Sequence, residues 1–298
     1  MNMETKKLNI LPAPTFNHSG VNFTEREINI VSQREQKIIT GSNKTVKENI
    51  YSSCGYEINV CENESLTVIM YISPNSAVSV DTSITAAEYS YVKIVQVFDG
   101  KPQIISGISA DLSENAKFEL VQLYIKGNDT ISEIVSSLNG RKAEFSADIG
   151  YLLNPSDNLD INLIVRHKGK KTLSKTQAKG VLNSGSRKTF KGTIDFLRGS
   201  AGAKGSENED VLLLGENTVN KTVPLILCSE EDVDGSHGAS IGRIDEKHIF
   251  YMQSRGIPEE KIREIISRSK LNSVIRNIRD VETVRQINAR LGQGEENE

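Results

Sequence analysis

The chain has no tryptophan, and aromatic residues of every kind make up only 5% of its 298 positions. With so few large rings, a core has to be assembled from many aliphatic contacts spread along an elongated body. Cysteine is scarce as well. Cys54, Cys61 and Cys228 are odd in number and contain no close pair, which excludes a disulfide framework and a zinc ribbon. Each is expected as a small buried hydrophobe rather than a ligand. No apolar run approaches the ~18 residues that cross a bilayer. The opening MNMETKKLNILPAPT carries Glu4 and lacks the apolar stretch of a signal peptide. Neither sign of charge dominates, since 36 basic against 39 acidic side chains leave a net charge of −3. A dedicated nucleic-acid binder would carry a basic excess. The expectation is a soluble cytoplasmic protein with no membrane or nucleic-acid partner.

Common catalytic signatures are also missing. There is no GxxxxGK[ST], HExxH, CxxC or GxSxG, so ATPase, zincin, thioredoxin-like and hydrolase readings lack their minimum parts. The glycine-rich stretch GSAGAKGSENED (199–210) has no helix after it to aim aligned N–H groups at a phosphate. Lacking an apolar period, it reads as a flexible loop inside a strand region.

What the chain does have is period-2 alternation from Val21 to about Val223. Leu66, Val68, Met70 and Ile72 share one parity, as do Val92, Ile94, Gln96 and Phe98, then Phe118, Leu120, Gln122 and Tyr124. Leu159, Ile161, Leu163 and Val165 continue the pattern, followed by the run from Thr189 to Phe196. Turn formers separate the runs at Pro74-Asn75, Asp99-Gly100, Gly127-Asn128-Asp129 and Asn154-Pro155-Ser156-Asp157. Leu66, Val92, Phe118 and Phe145 follow one another at 26, 26 and 27 residues. A repeat of that length predicts a β-solenoid, each coil closing its own apolar face on the next. Identity between the coils is low, which leaves a two-sheet sandwich open.

Helices follow the strands. Asp245-Glu246 caps a segment over Lys247–Arg255 that Gly256 terminates. Pro258 with Glu259-Glu260 opens a second, with Ile262, Ile265 and Ile266 as one apolar stripe. A third segment carries Val274, Ile275 and Ile278, then Val281, Val284, Ile287 and Leu291. Ile249, Phe250, Tyr251 and Arg255 exceed what a bare solvated face requires and are candidates for partner binding, with capping of the solenoid's end as the alternative. The division expected is an N-terminal segment over 1–24, a solenoid core over 25–242, a helical domain over 243–291 and an acidic, disordered tail over 292–298.

Of the four histidines, His237 alone has a distinctive setting, Ser236-His237-Gly238-Ala239-Ser240, just after the acidic run from Glu230 to Asp234. Gly235 and Gly238 permit close backbone approach, and imidazole suits iron or zinc. A histidine between glycines also reads as a turn residue.

The run SHGASIGRIDEKHIFYMQSRGI (236–257) resembles the signature of the SufB/SufD family of iron–sulfur cluster assembly proteins. LPAPTFNHSGVN (11–22) is similar to that family's N-terminal motif, with Phe16 where tryptophan is usual. KGVLNSGSRKTFKGTI (179–194) and EDVLLLGENTVNKTVPLIL (209–227) resemble two further stretches. The resemblance implies a mainly β fold, a right-handed parallel β-helix with a short helical C-terminal domain and without the long N-terminal helical domain of larger members.

It also implies a non-catalytic scaffold that docks a SufC-type ABC ATPase on its C-terminal helices. Pairing with a SufB-type paralogue, or as a homodimer, would hold a transient iron–sulfur cluster, with no tightly bound cofactor in the isolated chain. His237 then matches the histidine facing that interface. Glu209 stands where SufB carries a cysteine, and is a weak candidate oxygen ligand or a solvated loop carboxylate. Gly235 stands where many SufD chains have cysteine. These departures favour SufD over a SufB-like homodimeric scaffold. A β-helix carbohydrate-active enzyme is the rival of another class, but the acidic cluster it needs is not evident.

Overall fold

The spacing of about 26 residues corresponds to one full coil of the chain. In the computed structural model, which describes residues 3–15, 17–29, 34–41, 43–126 and 129–291, Leu66 lies in register with Val92, Val92 with Phe118, and Phe118 with Phe145. The tail expected over 292–298 lies outside the described residues. An antiparallel hairpin comes first, β1 (Met3–Leu8) with β2 (Thr24–Asn29). Sixteen strands then alternate between two sheets. The front sheet holds β3 (Glu35–Thr40), β5 (Cys54–Val60), β7 (Val78–Ala86), β9 (Ile104–Leu112), β11 (Asp129–Leu138), β13 (Asn158–His167), β15 (Arg187–Phe196) and β17 (Val219–Cys228). The back sheet holds β4 (Lys44–Ile50), β6 (Ser65–Ile72), β8 (Tyr91–Asp99), β10 (Lys117–Lys126), β12 (Glu144–Leu153), β14 (Leu173–Leu182), β16 (Ala203–Leu213) and β18 (Val233–Arg243).

Every pairing in both large sheets is parallel, each strand meeting the one two places on. That topology is a parallel β-solenoid and removes the sandwich alternative, whose sheets would be antiparallel. Inward side chains of the two sheets meet in one continuous core that includes Leu66, Val92, Phe118, Phe145 and Leu163. Gln96 and Gln122, polar at inward positions, are fully buried and bond each other at 2.8 Å, with Tyr124 donating to Gln122 at 3.0 Å.

One corner repeats from coil to coil. Asn63, Tyr89, Asn115, Lys142, Lys171 and Gly202 all have positive φ. The backbone N–H of each donates to the neighbouring coil's turn, as Tyr89 does to Glu114 O at 3.0 Å and Gly202 to Asp232 O at 2.6 Å. A left-handed residue there suits Asn and Gly, while a tyrosine or lysine adopts it at some cost.

Three helices close the chain, α1 (Glu246–Ser254), α2 (Glu259–Arg276) and α3 (Val281–Arg290). Asp245 caps α1 by accepting from the Lys247 N–H at 2.9 Å. The second helix is longer than the spacing suggested and takes in Val274 and Ile275, while Ile265 turns outward and is exposed. Leu271, Val274, Ile275, Ile278 and Ile287 pack on Ile69, Val95, Val97, Val121, Leu123 and Ile125, which face outward from β6, β8 and β10. Lys93 Nζ donates to Asn277 O at 2.7 Å, and Lys47 meets Asp280 and Glu282, both at 3.0 Å. The helices therefore run back along the flank of the back sheet. Capping of the end is not their role. Among the described residues no helix is long and apolar enough to cross a membrane.

Candidate functional site at the open end

The last coil consists of β17 and β18, and no further strand stacks on either. The two ends of the solenoid differ in chemistry. At the first coil, β3 and β4 carry Glu35, Lys37, Lys44, Lys47 and Glu48, charges of the kind that block edge-to-edge pairing. At the last coil, residues 222–228 of β17 (TVPLILC) and 235–242 of β18 (GSHGASIG) hold no Asp, Glu, Lys or Arg. Pro224 is compatible with this position because an edge strand need not donate on both sides.

Beneath that edge the interior becomes polar. The stretch read as a flexible loop over 199–210 is a tight turn followed by β16, with alternate side chains buried from Ala203 to Val211. The alternation escaped notice because its inward residues are Ala203, Gly205, Glu207 and Glu209, none of them large and apolar. Glu209 is only 2% exposed. Its carboxylate accepts from Lys188 Nζ at 2.6 Å, the Tyr151 hydroxyl at 2.8 Å and the Thr222 hydroxyl at 2.5 Å. Glu209 is thus not a solvated loop carboxylate but the acceptor of a buried ion pair. Burial pulls the Lys188 ammonium below its ordinary value, against the opposing pull of Glu209. Burial and the Glu209 charge together push the Tyr151 phenol well above its own.

Glu207 also lies inside. Desolvation, with Glu209 as a like charge nearby, raises its carboxyl to about 7. Two glycines of the stretch 179–194 make room for these groups. A Cβ on Gly192 would sit 1.8 Å from Glu207 Oε2, and one on Gly180 would sit 1.6 Å from the Tyr151 ring. The motif residues there serve packing.

His237 lies in the middle of β18, exposed, with Glu207 as its register partner; Ala239 is the partner of Glu209. The two residues singled out from sequence are therefore neighbours across β16 and β18, but it is Glu207, which sequence reading missed, that stands beside His237. Counting one more coil from Thr176, whose register partner is Glu207, is the signal that finds it. Among the described residues no group of three or more His, Cys, Asp and Glu side chains is placed to hold a metal ion. Cys54 is buried as expected, whereas Cys61 and Cys228 are exposed. Cys228 is exposed because β17 has no neighbour to cover it.

Two residues after β18, α1 begins. Phe250 is 71% and Tyr251 57% exposed, Ile249 is half-buried, and the exposed Arg255 guanidinium lies 5.4 Å from the centre of the Tyr251 ring. Removing everything after Gly242 would uncover the outward apolar face of β6, β8 and β10, so truncation would perturb the solenoid itself. Surface substitutions on α1 avoid that difficulty.

A parallel β-solenoid with a long uncharged stretch on each strand of its open end and a helical flank defines the class. Within that class the chain belongs to the SUF system FeS cluster assembly family, whose SufBD core domain model matches residues 45–270. It is similar to the iron-sulfur cluster assembly protein SufD of Bacillus subtilis (strain 168), 24% identical over 285 residues that cover 93% of this chain and 64% of that one. It is 31% identical to SufD of Escherichia coli (strain K12) over 115 residues, 39% of this chain and 27% of the relative. SufB of Bacillus subtilis (strain 168) matches at 26% over 153 residues, 51% of this chain and 33% of that one. The chain spans under two thirds of the length of each. It is a SufD-like member of the family.

Proposed function

We propose that this chain is a non-catalytic scaffold subunit in iron–sulfur cluster assembly that pairs through its open end and docks an ABC-type ATPase of the SufC kind on α1. The observation that carries the reading is the contrast between the ends of the solenoid, charges along β3 and β4 against uncharged stretches over 222–228 of β17 and 235–242 of β18. An unguarded edge is a template for another chain's strand. A SufB-type paralogue is the expected partner, and a second copy of this chain is the alternative.

His237 is proposed as one ligand to the cluster, which is cargo rather than a resident cofactor. The other ligands would come from the partner. Glu209, held by three donors, is a structural ion pair in this reading, and Glu207 is the carboxyl beside the histidine. Ile249, Phe250, Tyr251 and Arg255 form the proposed ATPase contact, since two exposed rings and a cation resemble the anchors of protein interfaces.

Co-expression with both candidate partners tests the reading. Ile226→Lys on β17 and Ile241→Lys on β18, both exposed positions, should abolish pairing in size-exclusion chromatography while the chain stays folded. Phe250→Asp with Tyr251→Asp should release the ATPase and leave pairing intact. His237→Ala should lower the iron and sulfide content of anaerobically purified complex without changing its assembly. Undiminished pairing by the β17 and β18 variants would reject the proposed interface, and wild-type iron content would leave His237 a mere edge-strand residue.

A further inference from the structure

We infer that the cleft between the N-terminal hairpin and the outer face of the front sheet is a binding site for a small phosphorylated ligand of nucleotide size. The cleft has a volume of about 650 Å³, inside the roughly 300–1,000 Å³ range of small-molecule sites. Its floor consists of outward positions on three successive strands, Asn158, Arg187 and Val219 in one row and Asp160, Thr189 and Lys221 in the next. Gly20 and residues 22–26 form its other wall.

The cleft is held open by its own supports. Asp160 bonds Lys191 Nζ at 3.1 Å and Asn9 Nδ2 at 2.5 Å and also accepts from Thr24, all of them buried. Lys191 further donates to Asn9 O at 3.0 Å. These bonds tie both ends of the 9–24 segment to β13 and β15, so a ligand would find the walls already in place.

Charge accounting leaves the cleft positive. Lys191 neutralises Asp160, Asp129 neutralises Arg26 at 3.0 Å, and Glu25 faces Lys7 at 3.9 Å. Arg187 makes no ion pair among the described residues, and Lys221 bonds only a neutral carbonyl, Ser19 O, at 2.9 Å. Two uncompensated cations therefore line the cleft from adjacent strands, β15 and β17, one row apart on the same face. A phosphate monoester, carrying about −1.5 to −2 at neutral pH, matches that pair, whereas one carboxylate would match half of it. The volume exceeds what inorganic phosphate needs, and Phe23, 39% exposed on the hairpin side, offers an apolar wall to the rest of the molecule. Val219 and Lys221 open β17 but precede its uncharged stretch over 222–228, and the other cleft residues lie off the pairing and docking surfaces proposed above.

Titration calorimetry of the full chain at low salt, with AMP, inorganic pyrophosphate and adenosine as probes, tests the site. Saturable one-to-one binding of AMP or pyrophosphate is expected, with none for adenosine. Arg187→Gln and Lys221→Gln should each weaken binding at least tenfold, Lys221→Arg should largely restore it, and Lys175→Gln, an exposed cation on the back sheet, should change nothing. Melting temperatures check that the variants are folded. Failure of both phosphorylated probes to bind the wild-type chain overturns the inference, as does binding by Arg187→Gln equal to wild type or an equal loss in Lys175→Gln.

Discussion

Replacing Glu207 by glutamine should stabilise the protein at alkaline pH and do almost nothing in acid. The carboxyl sits inside the last coils of the solenoid, against Gly192 and near Glu209. Its folded value of about 7 stands above the 4.5 of an unperturbed glutamate. The native state therefore holds this proton more tightly than the unfolded chain. Below pH 4.5 both states are protonated and the residue costs nothing. As pH rises from 4.5 to 7 the unfolded chain ionises first, and stability falls by about 1.4 kcal/mol per pH unit. Above pH 7 the loss levels off at about 3 kcal/mol. Glutamine keeps the shape, cannot ionise and removes the repulsion from Glu209. Urea unfolding followed by circular dichroism should show Glu207→Gln more stable than wild type by that order at pH 8.5 and equal to it at pH 4. A difference independent of pH would refute the reasoning, because only a titrating group produces the slope.

His167 behaves with the opposite sign. It is fully buried between the Thr172 and Ser174 hydroxyls at 2.8 and 2.9 Å, and burial lowers it to about 4. Its stabilisation is complete above pH 6.5 and disappears as pH falls towards 4, by about 3 kcal/mol in all. In wild type this slope and that of Glu207 oppose each other between pH 4.5 and 6.5; urea midpoints of Glu207→Gln over that range should expose the histidine limb, and His167→Asn should flatten it. Lys188→Ala should destabilise by about 3–5 kcal/mol by leaving Glu209 buried and unpaired, whereas Lys188→Met with Glu209→Leu should recover most of that loss in a double-mutant cycle. Tyr89→Asn, at an exposed left-handed corner, should raise stability by about 1 kcal/mol in thermal unfolding.

How far the fold can be read from sequence changes along the chain. From Leu66 to Phe145 the inward residues are large and apolar, the coil length varies by a single residue, and counting finds the register directly. Beyond Phe145, register partners Phe145 and Ser174, Ser174 and Gly205, Gly205 and Gly235 are separated by 29, 31 and 30 residues. Lengthened corners and small or charged inward residues then conceal the same architecture, and β16 looks like a loop. The outward apolar face under α2 was hidden for a related reason. Val121, Leu123 and Ile125 alternate with Leu120, Gln122 and Tyr124, so both parities look buried. Only a second layer of structure explains the outward set, and the helices supply it. At the site, His237 was legible through its glycines and the resemblance, while its neighbour Glu207 was not, because contact between coils is a property of register rather than of local pattern. The left-handed residues Tyr89 and Lys142 are not types that sequence rules would flag, although Asn139-Gly140 marks the turn before Lys142.

Polarity in the last coils also bears on how the end of the molecule behaves. In a solenoid each coil is stabilised by its own interior and by its two neighbours. The last coil lacks one neighbour, and the coil beneath it buries Lys188, Glu207 and Glu209 in register with Leu159, Thr176 and Ala178 of the coil before. Both deficits fall at the same end. The helices cannot compensate, because they lie across the outward face of the back sheet and add no strand to the edges of β17 and β18. On that face Lys270 meets Asp210 of β16, Lys179 of β14 donates to Ser273 and Asn277 donates to Asp148 of β12. Local opening should therefore begin at β17 and β18 and become harder toward the middle coils, an ordering that amide hydrogen exchange reads directly. A partner strand on the open edge would supply the missing neighbour, so slow exchange in β18 should appear on pairing and be absent from the isolated chain. If β18 is already as protected as β10 in the isolated chain, the end is self-sufficient, and the energetic argument for pairing there fails.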